Sequence, residues 1–207
     1  MTLQSRSGVF RVLLVLALCG CATTPKALIT ADSGKWDAKV LIKDKVKDKS
    51  QVVLADIIAE QPEFLRIDFH TSLGNALASF AMDDQKMSFW IPSQKKYYSG
   101  VVSPEAFHGL LSARVNPRWL VPALFEKNLE RDGWDCGRDT QGLLAHCHRV
   151  GSAGAAGETL RFLSREGTRR VVEYEAPTVL VKLSLSGQTL NEQYPKEMFR
   201  VRRPDSN

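Results

Sequence analysis

The run Phe64-Leu65-Arg66-Ile67-Asp68-Phe69-His70-Thr71-Ser72-Leu73-Gly74-Asn75-Ala76-Leu77 settles what kind of chain this is. Leu65, Ile67 and Phe69 alternate with Arg66, Asp68 and His70, and the alternation stops at a polar turn around Gly74-Asn75. A period of two puts apolar residues on one face of a strand and charged residues on the other, as in an antiparallel sheet with one buried face. The rhythm extends in both directions. Trp36, Ala38, Val40 and Ile42 alternate with Asp37, Lys39 and Lys43; Met87, Phe89 and Ile91 with Lys86 and Ser88. Leu160 and Phe162, then Leu183 and Leu185, repeat it near the C-terminus. Turn signals such as Glu60-Gln61-Pro62, Asp83-Asp84, Arg165-Glu166-Gly167 and Ala176-Pro177 separate the runs, giving about ten to twelve strands. The spacing leaves no room for crossover helices, which excludes a doubly wound or α/β-barrel fold.

One stretch breaks the strand rhythm. Ser103-Pro104-Glu105 and Asn116-Pro117-Arg118 each place a capping residue before a proline, the signature of a helix start. Phe107, Leu110 and Leu111 would share one helical face, and Leu120, Leu124 and Phe125 another. The expected fold is therefore mainly β: a single curved, incomplete antiparallel β-barrel, with two or three short helices forming a lid over its apolar side.

The N-terminus reads as a targeting segment. Arg6 and Arg11 precede the apolar run from Val12 to Leu18, which meets Cys19-Gly20-Cys21. A basic region, a short apolar region and a small-residue cleavage site make a signal peptide, and the run is too short for a mature transmembrane helix. Leu18-Cys19-Gly20-Cys21 resembles the bacterial lipobox. That resemblance implies cleavage before Cys21 and lipid attachment at Cys21, with residues 1–20 removed. Residues 21–35 then form an acylated Cys and a short linker, and residues 36–207 the half-barrel domain. About 14 flexible residues reach roughly 20 Å, which keeps the domain near its membrane.

The 207-residue chain carries 28 Lys and Arg against 23 Asp and Glu, a net charge of +5. Loss of Arg6 and Arg11 with the signal peptide leaves 26 against 23, or +3. Such a balance gives no reason to expect a nucleic-acid partner. Cys136 and Cys147 flank the turn-rich Arg138-Asp139-Thr140-Gln141-Gly142. A hairpin centred there brings the two nearly opposite, and an even pair in an exported protein reads as a disulfide. Free thiols or a metal site including His146 and His148 are the alternatives. Alternation turns both histidines away from Cys147, so no metal is expected.

Catalytic patterns are missing. No Gly-x-Ser-x-Gly elbow, phosphate-binding loop or His-Glu-x-x-His occurs. Ser93-Gln94-Lys95-Lys96 fits Ser-x-x-Lys but lies in a hairpin rather than at a helix start. Neither enzymatic activity nor a cofactor is expected.

From Phe64 to Leu77, and on through Asp84, residues 86–91 and Tyr97-Tyr98-Ser99-Gly100, the chain resembles the LolA/LolB-like family of outer-membrane lipoprotein-localisation proteins. The match is an Arg-containing strand, a Leu-Gly turn, an alternating strand, then a hairpin before the helical insert. The resemblance implies a half-barrel whose apolar cavity holds lipoprotein acyl chains. It also implies that Leu73, in the Leu-Gly turn, is an exposed membrane-insertion tip; the alternative for Leu73 is to fold back onto the sheet.

The expected cavity residues are Leu65, Ile67, Phe69, Met87, Phe89 and Ile91 from the strands, with Phe107, Leu110 and Leu124 from the lid. The opposite faces, with Phe64, Phe80, Trp90 and Tyr98, are the competing lining. The expected function is binding of acylated lipoprotein or other lipid cargo for insertion into the outer membrane. The protein would be a monomer, lipid-anchored on the periplasmic face of a Gram-negative outer membrane. A periplasmic LolA-like carrier is the expected protein partner. The rival function is that of a non-enzymatic accessory lipoprotein in an outer-membrane assembly or envelope-stress complex.

Overall fold

A computed structural model describes residues 31–103, 115–127, 129–130, 133–151 and 157–203. Cys21, the expected first lid helix, and Phe107 and Leu110 on it lie outside the described residues. The strands are β1 (Ser33–Asp44), β2 (Lys49–Glu60), β3 (Phe64–His70), β4 (Ala76–Met82), β5 (Lys86–Ile91) and β6 (Lys96–Val101), followed by β7 (Asp135–Arg138), β8 (Leu144–Arg149), β9 (Glu158–Glu166), β10 (Arg169–Glu175) and β11 (Val179–Leu190). All eleven form one antiparallel sheet in the order β6-β5-β4-β3-β2-β1-β11-β10-β9-β8-β7. Two meanders are thus zipped together where β1 meets β11, and the sheet stays open between β6 and β7. Every strand finds its partners within residues 31–203, so this segment carries its own core.

Register explains which side chains face inward. Trp36, Ile57, Ile67, Phe80, Phe89 and Tyr98 stand opposite one another in a row across β1 to β6. A second row, Ile42, Val181, Tyr174, Leu160, Cys147 and Cys136, crosses the other half. Cys136 and Cys147 are bonded, with S–S at 2.11 Å, and so staple the four-residue edge strand β7 to β8. Cys147 is buried while His146 and His148 are exposed, as alternation requires.

Three expectations need correction. Phe80 and Tyr98 share the inner face with Ile67 and Phe89, rather than standing on the opposite side with Phe64 and Trp90. In Ala76–Met82 small residues fill the outward positions, so the alternation carries no phase. β1 begins at Ser33, not at Trp36, because Gly34 already pairs with Ala59 and Leu190. The second lid helix is a 3-10 turn over Pro117–Trp119 leading into α1 (Leu120–Leu124), and nearly all of it is buried rather than half. The Asn116 side chain does cap this start, accepting a hydrogen bond from the Arg118 N–H at 3.1 Å.

The outer face of β3 to β5 is covered by the C-terminal segment. Phe199 is buried against Phe64 at 5.4 Å between ring centroids, Arg66 Nη1 donates to the Met198 carbonyl at 3.0 Å, and the Val201 N–H donates to Ser88 Oγ at 3.0 Å. Arg200 reaches the Asp83 carboxylate at 3.5 Å. Burial alone would raise the Asp83 pKa. The N–H groups of Lys86 and Gln85, with Arg200, outweigh it and hold the carboxyl below its ordinary 3.8. A lowered folded-state pKa contributes stability above the unfolded value and loses it as pH falls through the folded one. Asp83→Asn should therefore flatten the loss of stability below about pH 4, measured by urea midpoints on either side of that pH.

Candidate functional site

Topology fixes where the lid must run. The chain leaves the sheet at β6, one open edge, and re-enters at β7, the other. The described part of this connection lies on the inner face. Trp119 stacks on Tyr174 of β10, with centroids 4.8 Å apart and rings 9° from parallel. Phe125 meets Trp36 of β1 edge-on at 5.3 Å. Such aromatic pairs contribute about 0.5–1.5 kcal/mol each beyond their buried area.

Between the lid and the sheet lies a cavity of about 60 Å³. Val40 and Ile42 of β1, Ile57 of β2, Ile67 and Phe69 of β3, and Val181 and Leu183 of β11 form its floor. Val115, Pro117, Trp119 and Leu120 form its roof. Among the described residues, no charged or hydroxyl-bearing side chain lines it, so it offers lipid an environment without hydrogen-bonding demands. Of the residues expected at the cavity, Ile67 and Phe69 line it. Leu65, Met87, Phe89, Ile91 and Leu124 are buried in the surrounding core and do not. A wider depression of about 540 Å³ lies on the outer face, where Asp37, Lys39, Asp56, His70 and Arg169 stand among apolar residues such as Leu54, Val171 and Leu185. The charged side chains among its walls would have to lose water to take an acyl chain, which the inner cavity does not require.

The lid is also held by charge. Arg118 pairs with Glu63 and donates through Nη2 to the Asp84 carbonyl at 3.2 Å, tying the start of the lid helix to the β2–β3 and β4–β5 turns. At the other end, Arg170 occupies an inward position of β10 opposite Leu185 and is almost fully buried. Its Nη1 donates to the Leu124 carbonyl at 2.8 Å, at the last turn of α1, and lies 3.4 Å from Glu126 Oε1. Arg165 Nε donates to both Glu126 oxygens at 3.1 Å. Burial pushes the Arg170 pKa down; Glu126 opposes this, and the nearby Arg165 charge adds to it. Glu126 ends the helix with φ +53°, a left-handed conformation unusual for Glu. Its carboxylate, paired with two arginines, offsets that backbone cost.

Sequence patterning did not single out this ion cluster. The signal was present: Arg170, Val172 and Tyr174 share a phase, so a period-two reading of β10 puts Arg170 inside. Leu73 is 85 % exposed at the β3–β4 turn. Thr71 makes this turn rigid: its carbonyl accepts from the Gly74 N–H, and its Oγ1 accepts from the N–H groups of Leu73 and Asn75. Gly74 supplies the required positive φ of 80°. With the turn satisfied internally, Leu73 points away from the sheet.

Removing one member of a buried ion cluster typically costs about 3–5 kcal/mol. Glu126→Ala and Arg170→Ala should each destabilise the protein to that extent in urea. The double variant should lose much less than the sum of the two, which a double-mutant cycle measures.

No protein-family model and no curated protein sequence match this chain. Solved structures do. A LolA-superfamily protein from Nitrosomonas europaea aligns with a TM-score of 0.54 at 10 % identity, covering 82 % of this chain and 90 % of that one. A DUF1329 family protein from Desulfovibrio piger aligns at 0.57 and 12 % identity, over 83 % and 91 %. An outer membrane lipoprotein-sorting protein domain from Vibrio parahaemolyticus, so described as putative in its own name, aligns at 0.51 and 9 % identity, over 81 % and 89 %. At such identities the likeness is one of fold. The architecture is that of the LolA/LolB-like half-barrels.

Proposed function

We propose that this chain is an envelope lipoprotein, anchored through Cys21, that binds the acyl chains of lipoproteins or other lipids between the concave sheet face and its lid. The observation that carries this reading is the cavity lined by Ile42, Ile57, Ile67, Trp119 and Val181, which has apolar walls on both the sheet side and the lid side. The fold it shares with a lipoprotein-sorting domain supports the same reading. Transfer of acyl surface out of water supplies about 25 cal/mol per Å² and needs no covalent step. Lipoprotein insertion into the outer membrane is the proposed outcome, with Leu73 as the side chain that first enters the lipid. A LolA-like carrier is the proposed donor.

At about 60 Å³ the cavity is well below the engineered apolar cavity of about 150 Å³ that binds benzene. Cargo must therefore displace the Val115–Leu120 roof. Filling the remaining space from the sheet side blocks that route without touching the lid. Val181→Phe should reduce uptake of a fluorescent fatty-acyl probe at least tenfold, at a stability cost of about 1–3 kcal/mol from overpacking. Equal uptake by the variant and the parent, with both folded by circular dichroism, would contradict the proposed site.

A further inference from the structure

Among the described residues, eight buried side-chain nitrogen and oxygen atoms have no hydrogen-bond partner. Six of them belong to Trp36, Trp119, Trp134, Arg170 and Tyr174, on the inner side of the sheet and its cover, and all six can donate a hydrogen bond. Leaving a buried donor without an acceptor is unfavourable, and native structures hold few such groups. Two of these residues have an outlet. Arg170 is engaged through Nη1 with Leu124 and Glu126, and Trp36 meets Phe125 edge-on, the approach that lets an indole N–H face a ring.

Trp119 has no such outlet. It stacks within 9° of parallel on Tyr174, and an indole N–H lies in the plane of its own ring, so it cannot point at the ring it covers. Trp119 is also part of the cavity roof, and Tyr174 stands opposite Val181 of the cavity floor. The Trp119 N–H and the Tyr174 hydroxyl thus belong to side chains at the β10 flank of an otherwise apolar cavity. Trp134 adds a third donor behind them, its ring centroid 6.5 Å from that of Tyr174. Charge narrows the kind of acceptor that fits. Burial, and then Glu158, push the Tyr174 pKa up, so the phenol stays protonated, and its hydroxyl meets no acceptor at hydrogen-bond distance. Glu158 is committed to Arg149, whose Nη2 donates to it at 2.6 Å. With that cation paired, a ligand carboxylate would enter beside Glu158 uncompensated, whereas an uncharged carbonyl would not.

We infer that Trp119 and Tyr174 form a carbonyl-binding end of the acyl cavity, and that its ligand is an uncharged acyl ester or amide rather than bare hydrocarbon. The inference rests on the acyl-carrier reading above and names what that reading leaves open, the polar end of the cargo. Trp119 travels with the roof that cargo must displace, so its N–H turns onto a carbonyl as the roof resettles, while Tyr174 stays fixed in β10.

The test is displacement of a fluorescent fatty-acyl probe, from the chain from residue 22 onward, by dioctanoylglycerol and by its diether analogue, which lacks both carbonyls. The parent should bind the diester about tenfold more tightly than the diether. Trp119→Phe and Tyr174→Phe, which keep two stacked rings, should each cut that preference to about threefold. A dioctanoylglyceryl-cysteine peptide should show the same preference over its own diether, and the tighter-binding diester identifies lipoprotein or glycerolipid as the source of the carbonyl. Tyr174→Phe should leave the urea midpoint of the free protein unchanged or raised, since it removes a hydroxyl without a partner. A lowered midpoint would mean that the hydroxyl is already satisfied, and would overturn the inference. Equal affinity of the parent for diester and diether, or a preference that survives both substitutions, would overturn it while leaving the acyl site intact. Failure of every lipid to displace the probe would overturn both readings.

Discussion

A sheet of eleven strands that curls without closing leaves one continuous apolar face that water cannot be allowed to wet. Among the described residues, the connection between its two open edges covers that face. The rest of the molecule follows from this constraint. Trp119 and Phe125 hold the cover to β10 and β1 through aromatic contacts. Arg118 ties its start to two turns of the sheet, and Arg170 with Arg165 ties its end. The Cys136–Cys147 bond secures the far edge, where β7 is only four residues long and has little pairing of its own.

These fastenings have unequal consequences for ligand entry. Aromatic contacts can be exchanged for contacts with an acyl chain at little net cost, because both are apolar. The cluster of Glu126 with Arg165 and Arg170 cannot be exchanged that way, since drawing Glu126 away from both arginines inside an apolar site leaves charges uncompensated. On the proposed reading, the element that moves to admit cargo is the roof from Val115 to Leu120, with the Leu124–Glu126 end as its fixed point.

Much of this architecture was legible from residue patterns. Alternation in β1, β3, β5 and β11 gave the phase of each strand without choosing which face turns inward, and the Asn116-Pro117 pair marked the lid helix. The turn-rich segment after Cys136 put the two cysteines in register. What escaped had physical reasons. β4 hid its phase because Ala78 and Ala81 are both buried, one beneath the lid side and one beneath the C-terminal segment. That covering segment, Lys196–Phe199, is too short and too mixed in character to announce itself. Arg170 was passed over because a charged residue in an inward position is read as an error in phase until its partner, forty-four residues away in sequence, is placed beside it. Leu73 shows the reverse: composition could not choose between exposure and folding back, and the Thr71 hydrogen bonds decide it.

The central claim is that acyl chains enter between the concave face and the lid. Isoleucine δ-methyl groups report on it directly, because Ile42, Ile57 and Ile67 line the cavity whereas Ile58 stands on the other face of β2. Intermolecular nuclear Overhauser effects between a bound fatty-acyl chain and labelled Ile methyls would locate the ligand. The account predicts contacts to Ile42, Ile57 and Ile67 and none to Ile58. Contacts confined to Ile58, or an acyl chain that binds without approaching the other three, would contradict it.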